Sequence, residues 1–449
     1  MVPGRARRWR RKVLVAVVLI ATMATSGCWD RVEIDRRGFV MAVSLDVASP
    51  QAAAQAEEGL ERQLMVKQRP PYQVGLQLVV PSQATTTGAQ SGGGGGTQAR
   101  GFWNLKVVSG QGSVQEAVAK AFTRSFHMPD FGQLRVIVIG ESLGRQGIEG
   151  ALDYFLRTPG VRRALQVYAA PGEAAEALKA KSPFHPVAAV HLSGLAEHRG
   201  YTGRMGPNFD LARVARALDE GVSFFIPRIV TENGQARLSG SAVFKQGKLI
   251  DWLDEVETEG ARCVNGNLKR AVITVPAPAP EGGGQAGGGQ GGQGGQGTSA
   301  GGGPGGGGAP AQGAGPGAGI SPGMEVCYVS SAGCSTRPII RDGRLTFKLD
   351  IRAEGFLSEH QTRNDPMRDE YLEAIQREVA RKLEQEARAA INKVQHQLRA
   401  DIFHWGRRVE AWYPEVWRQI KDRWEEDYFP FADVEIKMAV HIRRVGLIK

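Results

Sequence analysis

Residues 372–402 read LEAIQREVARKLEQEARAAINKVQHQLRADI, and an apolar side chain recurs in this stretch at every third or fourth position. The positions are Leu372, Ile375, Val379, Leu383, Ala387, Ile391, Val394, Leu398 and Ile402. This spacing predicts one amphipathic helix of about 35 residues, roughly 50 Å long. The apolar stripe could serve a partner helix or the protein's own core, and we predict that it packs in the core.

The sequence on both sides of this helix has the two-residue period of half-buried strands. Leu345, Phe347, Leu349 and Ile351 alternate with polar residues, and residues 434–442 do the same. A second, shorter helix is predicted for residues 416–424. Antiparallel strands packed with a long helix form an α+β layer, which we assign to a C-terminal domain of residues 320–449.

Two glycine-rich tracts interrupt the chain. Residues 84–101 are predicted to form a flexible loop, and residues 276–319, built almost entirely of Gly, Gln, Ala and Pro, a disordered linker. Such a composition cannot bury enough apolar surface to offset the entropy lost on ordering. Neither tract ends in the Gly-Lys-Ser/Thr of a phosphate-binding loop.

The chain between signal and linker alternates strands and helices, which predicts an N-terminal α/β domain of residues 28–182 and a middle domain of residues 183–275. The predicted strands of the first are 72–80, 105–108, 134–139 and 165–169, and its helices are 114–126, 148–156 and 173–179. The middle domain is predicted to hold a helix at 211–218 and strands at 238–244 and 248–253. The fold class is therefore α+β with mixed sheets and three domains.

The first 27 residues are typical of a signal peptide. Six basic residues precede an apolar run at 13–24, which is too short for the roughly 20 residues that span a bilayer. Thr25-Ser26-Gly27-Cys28 then resembles the lipobox of bacterial lipoproteins, although Thr25 stands where Leu is usual. We therefore predict lipid attachment at Cys28. The alternative is a signal that is not cleaved, or is cleaved conventionally, with Cys28 unmodified.

Charge and cysteine content narrow the function classes. The whole chain carries +10, but loss of the six basic leader residues leaves 50 basic and 46 acidic residues, or +4, which removes the main argument for a nucleic-acid partner. Cys327 and Cys334 lie close enough in sequence for a disulfide across a small loop, with Cys263 left over. No Cys/His spacing indicates a metal site.

Several short motifs together resemble the Ger(x)C family, the C subunits of the nutrient germinant receptors of bacterial spores. The likeness begins at the lipobox cysteine and runs through nearly the whole mature chain. It is carried by Cys28-Trp29-Asp30, Glu33-Ile34, the strand 38–46 ending in Asp46, Gly140-Glu141, Asp153, Arg157, the run 240–245, Trp252-Leu253, Glu257-Thr258-Glu259-Gly260, Asp401, Trp405-Gly406, Trp417 and Trp424. The glycine-rich insertions depart from the family pattern.

The resemblance implies a three-domain lipoprotein on the outer face of the spore's inner membrane. It would act with two integral membrane subunits to trigger germination when a nutrient appears. It implies no enzymatic activity and no cofactor.

Gly140-Glu141-Ser142-Leu143-Gly144 supports a competing hypothesis. A G-x-S-x-G between a strand and a helix is the setting of a hydrolase nucleophile elbow. No oxyanion loop precedes it, and nothing in the sequence identifies His185, His191 or His198 as the catalytic partner of Ser142. In the receptor interpretation Gly140 relaxes the backbone and Ser142 caps the helix. A solute-binding lipoprotein is the other alternative.

The tryptophans near the C-terminus leave two interpretations open. Trp405, Trp412, Trp417 and Trp424 form either an apolar core or a surface for a partner or membrane interface.

Overall fold

A computed structural model describes Trp9 and residues 14–17, 34–55, 70–80, 102–109, 112–180, 182, 185–198, 201–278, 323–362, 365–366 and 368–445. Cys28 and its lipobox neighbours lie outside these residues. So do the predicted loop 84–101 and all of the predicted linker except its first three residues.

The larger of two sheets holds nine described strands, in the order β3-β2-β1-β5-β6-β7-β8-β9, with β4 pairing β1. The strands are β1 Arg37–Val47, β2 Tyr72–Val79, β3 Phe102–Ser109, β4 Met128–Asp130, β5 Val136–Gly140, β6 Gln166–Ala170, β7 Phe224–Glu232, β8 Gln235–Lys245 and β9 Lys248–Leu253. The central strands β1, β5 and β6 run parallel, and the hairpins on either side are antiparallel. The sheet is therefore mixed.

Helices cover both faces of the parallel centre. Their bounds are α1 Pro50–Gln55, α2 Val114–Phe122, α3 Glu141–Gln146, α4 Glu149–Arg157, α5 Ala174–Lys179, α6 Ala188–Glu197 and α7 Leu211–Asp219. On β1, Val43 and Leu45 share a core with α2, α3, α4 and α7, whereas Ala42 shares one with α5 and α6. This two-sided burial follows from the side-chain alternation along a strand.

The smaller sheet has the order β10-β11-β12-β13 among the described strands, with α8 preceding it and α9 packed on it. The bounds are α8 Glu255–Val264, β10 Leu268–Pro276, β11 Met324–Arg341, β12 Arg344–His360, α9 Asp369–Asn392, α10 Trp405–Trp412, α11 Pro414–Ile420 and β13 Asp433–Val445. The pairs β10–β11 and β11–β12 are antiparallel, and the edge strand β13 joins β12 in parallel. The α+β class, with antiparallel strands against a long helix, is confirmed.

The long helix is shorter than the predicted 35 residues. Its 24-residue α-helical part passes into a π-helical turn, Lys393–Leu398, and then Arg399 adopts a left-handed conformation with φ 48°. Ile375, Val379 and Leu383 are fully buried, as the stripe predicts. Ile402 is buried as well but lies beyond the helix end, because the helical conformation ends at Leu398 and Arg399 is left-handed.

The sheets divide the chain differently from the predicted domain bounds. β6 and β7 are joined by the pair Ala169↔Arg228, so the larger sheet runs across the predicted boundary at 182/183. The strand β10, placed in the middle domain by its sequence position, pairs with β11 in the smaller sheet. A two-residue period identifies a strand but does not say which sheet it joins.

The cysteine prediction requires a correction. Cys327 and Cys334 lie on the same continuous strand, β11, and both are free, as is Cys263. Seven residues of extended chain put their Cα atoms about 23 Å apart, far beyond the separation of roughly 4.4–6.8 Å that a disulfide requires. The expected small loop does not exist, because these residues form a strand.

Candidate functional site: the junction between the two sheets

Helix α8 carries Glu257-Thr258-Glu259-Gly260 and joins the two sheets. It begins with a capping box, in which Asp254 Oδ1 accepts from the Glu257 N–H at 2.7 Å and Glu257 Oε2 accepts from the Asp254 N–H at 2.8 Å. Glu257 also binds Lys393, at the end of α9, at 2.8 Å. Thr258 Oγ1 donates to Ser241 Oγ of β8 at 3.1 Å. One turn of helix thus contacts both halves of the protein.

Gly260 is the point of closest approach between α8 and α9. A Cβ at this position would stand 2.0 Å from the carbonyl oxygen of Glu386 and 3.0 Å from the amide nitrogen of Ala387. Both neighbours are backbone atoms inside a long helix, so they cannot rotate away. Only glycine lets the two helices cross at this distance.

Glu259 and Glu386 place two buried carboxyl groups at the same crossing. Glu259 Oε1 and Glu386 Oε2 are both buried without a hydrogen-bond partner. Arg204 approaches Glu259 Oε2 at 3.5 Å, and Lys382 approaches Glu386 Oε1 at 3.6 Å. Burial, with the neighbouring Glu386 carboxyl as the second cause, raises the pKa of Glu259 from 4.5 to about 7. Burial also raises the pKa of Glu386.

We expect Glu259→Gln to remove a pH-dependent loss of stability. Because the pKa is raised in the folded protein, the folded state binds a proton between pH 4.5 and 7 that the unfolded state has lost, so wild-type stability falls as pH rises through this window. Glutamine cannot ionise. At pH 8 the free energy of unfolding of the variant should therefore exceed that of the wild type by about 1–3 kcal/mol. The measurement is urea unfolding across pH 4.5–8.

Glu255→Gln is the matched control, because this residue lies on the same helix and has a shift of opposite sign. Its bonds to Arg237 at 2.7 Å and to Ser239 at 2.8 Å outweigh partial burial and lower the pKa of Glu255. Its replacement should reduce stability above pH 4.5. Parallel pH profiles for Glu259→Gln and wild type would contradict the assignment.

Lys245, the last residue of β8, forms a second connection across the junction. Its Nζ donates to the carbonyl oxygen of Arg399 at 2.7 Å and pairs with Glu426 at 2.7 Å and Glu425 at 3.6 Å. At the other end of the same motif, Gly240 has φ 73°, and a Cβ there would lie 2.3 Å from the carbonyl oxygen of Leu253. The run 240–245 therefore shapes β8 and fixes it to the C-terminal half.

Asp401 organises the loop that follows α9. Its carboxylate accepts from the backbone N–H of Trp405 at 2.9 Å, from that of Gly406 at 2.7 Å and from Trp424 Nε1 at 2.9 Å. Burial raises the pKa of Asp401 although each of these bonds lowers it. A Cβ at Gly406 would stand 2.7 Å from the Trp417 ring. The C-terminal residues that carry the family resemblance thus form one contiguous cluster.

The four tryptophans divide between the two interpretations of the sequence. Trp405 and Trp424 are buried, and Trp405 stacks on Phe347 with ring centroids 4.5 Å apart. Trp417 packs partly buried against the same core. Trp412 is exposed. The cluster is core, with one member left on the surface.

Asp46 is the last residue but one of β1, at the carboxyl edge of the parallel strands, and is buried. It accepts from the backbone N–H of Ala174 at 2.7 Å and of Ala175 at 3.3 Å, at the start of α5. Burial outweighs these bonds and raises the pKa of Asp46 to about 6. A Cβ at Gly140 would lie 1.8 Å from Asp46 Oδ1, while its φ is an ordinary −75°. Gly140 is therefore needed for space and not, as the sequence suggested, to relax the backbone.

The G-x-S-x-G does not form a nucleophile elbow. Ser142 is exposed and is the second residue of the regular helix α3, whereas an elbow holds its serine on a strained strand–helix turn. The helix is capped by Gly140 with no side-chain bond, so the expected cap by Ser142 is also wrong. His191 contacts Ser182 and Ala236, and the His185 ring accepts from Val187. None of these histidine contacts involves Ser142.

Two clefts of about 500 and 360 Å³ lie on either side of His404, between the C-terminal loop and the larger sheet. His404 is held in a left-handed conformation with φ 56°, and burial lowers its pKa. Arg407, beside it, is ion-paired with Glu220. The larger cleft is lined by three arginines, Arg213, Arg407 and Arg408, and by no acidic residue, whereas the lining of the smaller cleft carries both signs of charge. Within the described residues, no group of three or more potential metal ligands is present, and no helix has the length and apolarity needed to cross a membrane.

Two models of known protein families together match most of the chain. A model described as the spore germination protein N-terminal domain matches residues 30–231, and one described as spore germination B3/GerAC-like, C-terminal, matches residues 239–286 and 318–446. The chain belongs to the Ger(x)C family. The break in the second match falls in the glycine-rich linker, and the break between the two models lies close to the turn between β7 and β8.

Relatives and a solved structure agree with the family. The chain is similar to spore germination protein YndF of Bacillus subtilis (strain 168), with 24% identity covering 98% of both chains. It is similar to spore germination protein B3 of the same organism, with 22% identity covering 96% of this chain and 98% of the relative. The fold matches the crystal structure of the GerBC protein with a TM-score of 0.52 and 18% identity, over 90% of this chain and 98% of that one.

Sequence reasoning missed the α9 side of the junction. Glu386 and Lys393 lie among many charged residues that look like a solvated helix face. A signal for Glu386 did exist, because it follows Leu383 by three residues and so falls on the buried stripe. Nothing in the sequence indicated that Arg204 would be the counter-ion of Glu259.

Proposed function

We propose that this chain is the lipid-anchored, non-enzymatic C subunit of a spore nutrient germinant receptor. It is held by Cys28 at the outer face of the spore's inner membrane and acts with integral membrane subunits of the receptor to trigger germination. The observation that carries the proposal is the match of both family models across both halves of the chain. No cofactor is required, and the nutrient is sensed by the complex.

The arrangement of the junction supports a structural role, which holds the two sheets together, and not a catalytic role. The motifs shared with the family have structural roles. Gly260 permits the helix crossing, Glu257 caps α8, and Asp401 binds the loop after α9. Such contacts fix the two sheets relative to each other. A rigid body with a lipid anchor is suited to hold partner subunits in register.

The anchor supplies the membrane attachment. Two acyl chains on Cys28 would give stable binding where one is marginal, at about 0.8 kcal/mol per buried CH₂. The body, at +4 after loss of the leader, adds little electrostatic attraction.

We expect Cys28→Ala to release the protein from spore membranes and to abolish or strongly slow the nutrient response. The measurements are membrane fractionation, co-purification of membrane subunits from spores and germination kinetics. Ser142→Ala is the matched control, since the hydrolase hypothesis predicts loss of function there and the receptor hypothesis predicts none. A Cys28→Ala chain that stays membrane-bound and active would refute the anchor, and an inactive but membrane-bound Ser142→Ala chain would favour the hydrolase.

A further inference from the structure

Four large apolar side chains are exposed together at one end of the larger sheet. They are Ile34, 60% exposed, Phe122, 45%, Phe126, 81%, and Met128, 45%. Burying an apolar side chain of this size stabilises a protein by roughly 1.5–3 kcal/mol, so leaving four exposed in one place gives up a sizeable gain. Large apolar side chains exposed at one end of a sheet are typical of an interaction site.

The backbone shows that these residues are neighbours. The strands β1 and β4 pair in parallel, with Arg37 opposite Met128. Ile34, in the 3₁₀ turn before β1, and Phe126, just before β4, therefore lie at the same end of one strand pair. Phe122 ends α2 four residues earlier. We call these four residues the β1–β4 patch.

The patch lies beside the point where the chain leaves for its anchor. Ile34 lies six positions after Cys28, and fully extended chain covers at most about 3.6 Å per position, or roughly 20 Å in all. A lipid on Cys28 therefore keeps this end of the protein within about 20 Å of the membrane surface. Other exposed apolar residues, such as Phe431 in the C-terminal part, have no such tether.

The charges around the patch are nearly balanced. Arg37 is paired with Asp130 at 2.7 Å and Lys120 with Glu116 at 2.7 Å, and Arg36 and Arg124 are exposed. A surface that is apolar at its centre and weakly basic at its rim fits the interfacial layer of a bilayer, where apolar side chains enter the headgroup–acyl boundary. Strong attraction to anionic lipid is not required.

We infer that the β1–β4 patch rests in the lipid interface and orients the protein on its anchor. This inference depends on the proposed lipid attachment at Cys28. One anchor point alone allows the body to rotate, whereas an anchor plus an inserted apolar patch presents a fixed face to the other receptor subunits.

The test uses the full lipidated chain in vesicles of phosphatidylethanolamine and phosphatidylglycerol. An environment-sensitive fluorophore is attached to the thiol of Phe126→Cys, or of Phe431→Cys as the matched control at a residue 71% exposed. Cys263 and Cys327 label poorly because both are buried, which raises the pKa of both thiols, that of Cys327 to about 12. Cys334 is free and only partly buried, so it is changed to alanine in every labelled chain. A lipid-borne quencher reports contact with the bilayer.

We expect the probe at 126 to shift to the blue, brighten several-fold and lose most of its emission to the lipid-borne quencher, while the probe at 431 stays in water. Phe126→Glu combined with Met128→Glu should leave the protein vesicle-bound through its lipid and return a probe at Phe122→Cys to an aqueous emission. If the chain floats with vesicles but the probe at 126 remains aqueous, the anchor stands and the inference fails. If the chain does not float, the anchor and the inference both fail. A probe at 126 that is shielded only when membrane subunits are added identifies a protein contact and overturns the lipid assignment.

Discussion

Replacing Asp401 by alanine is expected to destabilise the protein by about 4 kcal/mol. Three buried donors, the N–H groups of Trp405 and Gly406 and the indole of Trp424, lose their acceptor at once. Each unsatisfied buried donor costs about 1–3 kcal/mol. Part of that sum is offset, because burial already raises the pKa of Asp401 and the variant removes that cost of ionisation.

The measurement is urea unfolding followed by tryptophan fluorescence, since Trp405 and Trp424 lie in the affected cluster. Asp401→Asn keeps one acceptor oxygen and should lose about 1–2 kcal/mol. Asp422→Ala, an exposed aspartate in the same region, should change stability by less than about 0.5 kcal/mol. A loss below 1 kcal/mol for Asp401→Ala would show that water replaces the carboxylate and that the loop does not depend on it.

Local pattern was enough to predict most elements of the fold. Alternation found β12 and β13, and the three-to-four spacing found the buried stripe of α9. Pairing between distant segments was harder to predict. Whether β10 joins the first or the second sheet, and whether β13 runs parallel to β12, depends on contacts between residues far apart in sequence. A one-dimensional period carries no information about them.

The site was predictable as a set of motifs but not as geometry. Resemblance singled out Gly260, Asp401 and Gly140, yet their roles come from the atoms opposite them, which are a helix carbonyl, three donors and a buried carboxylate. The error at Ser142 has the same origin. Five residues of sequence suggested an elbow or a cap, and only the start of α3 at Glu141 shows that this serine is neither.

The helix crossing gives the second large expected effect. Gly260→Ala is expected to cost about 3 kcal/mol or more, above the usual range for a single added methyl group, because overpacking is relieved only when a neighbour can move. The new Cβ would lie 2.0 Å from the carbonyl oxygen of Glu386, which is part of the backbone of α9. Relief requires α8 and α9 to separate, and this also loosens the bond between Glu257 and Lys393.

Gly194→Ala isolates this effect from helix propensity. Gly194 also lies inside a helix, α6, and a Cβ there meets nothing within 4 Å, so the same substitution should stabilise by up to about 1 kcal/mol. Both changes remove the same backbone freedom from the unfolded chain. The difference between the two unfolding free energies therefore measures the crossing alone. If the two variants have equal stability, α8 and α9 are not held at the distance that this glycine permits, and the junction is more compliant than its contacts indicate.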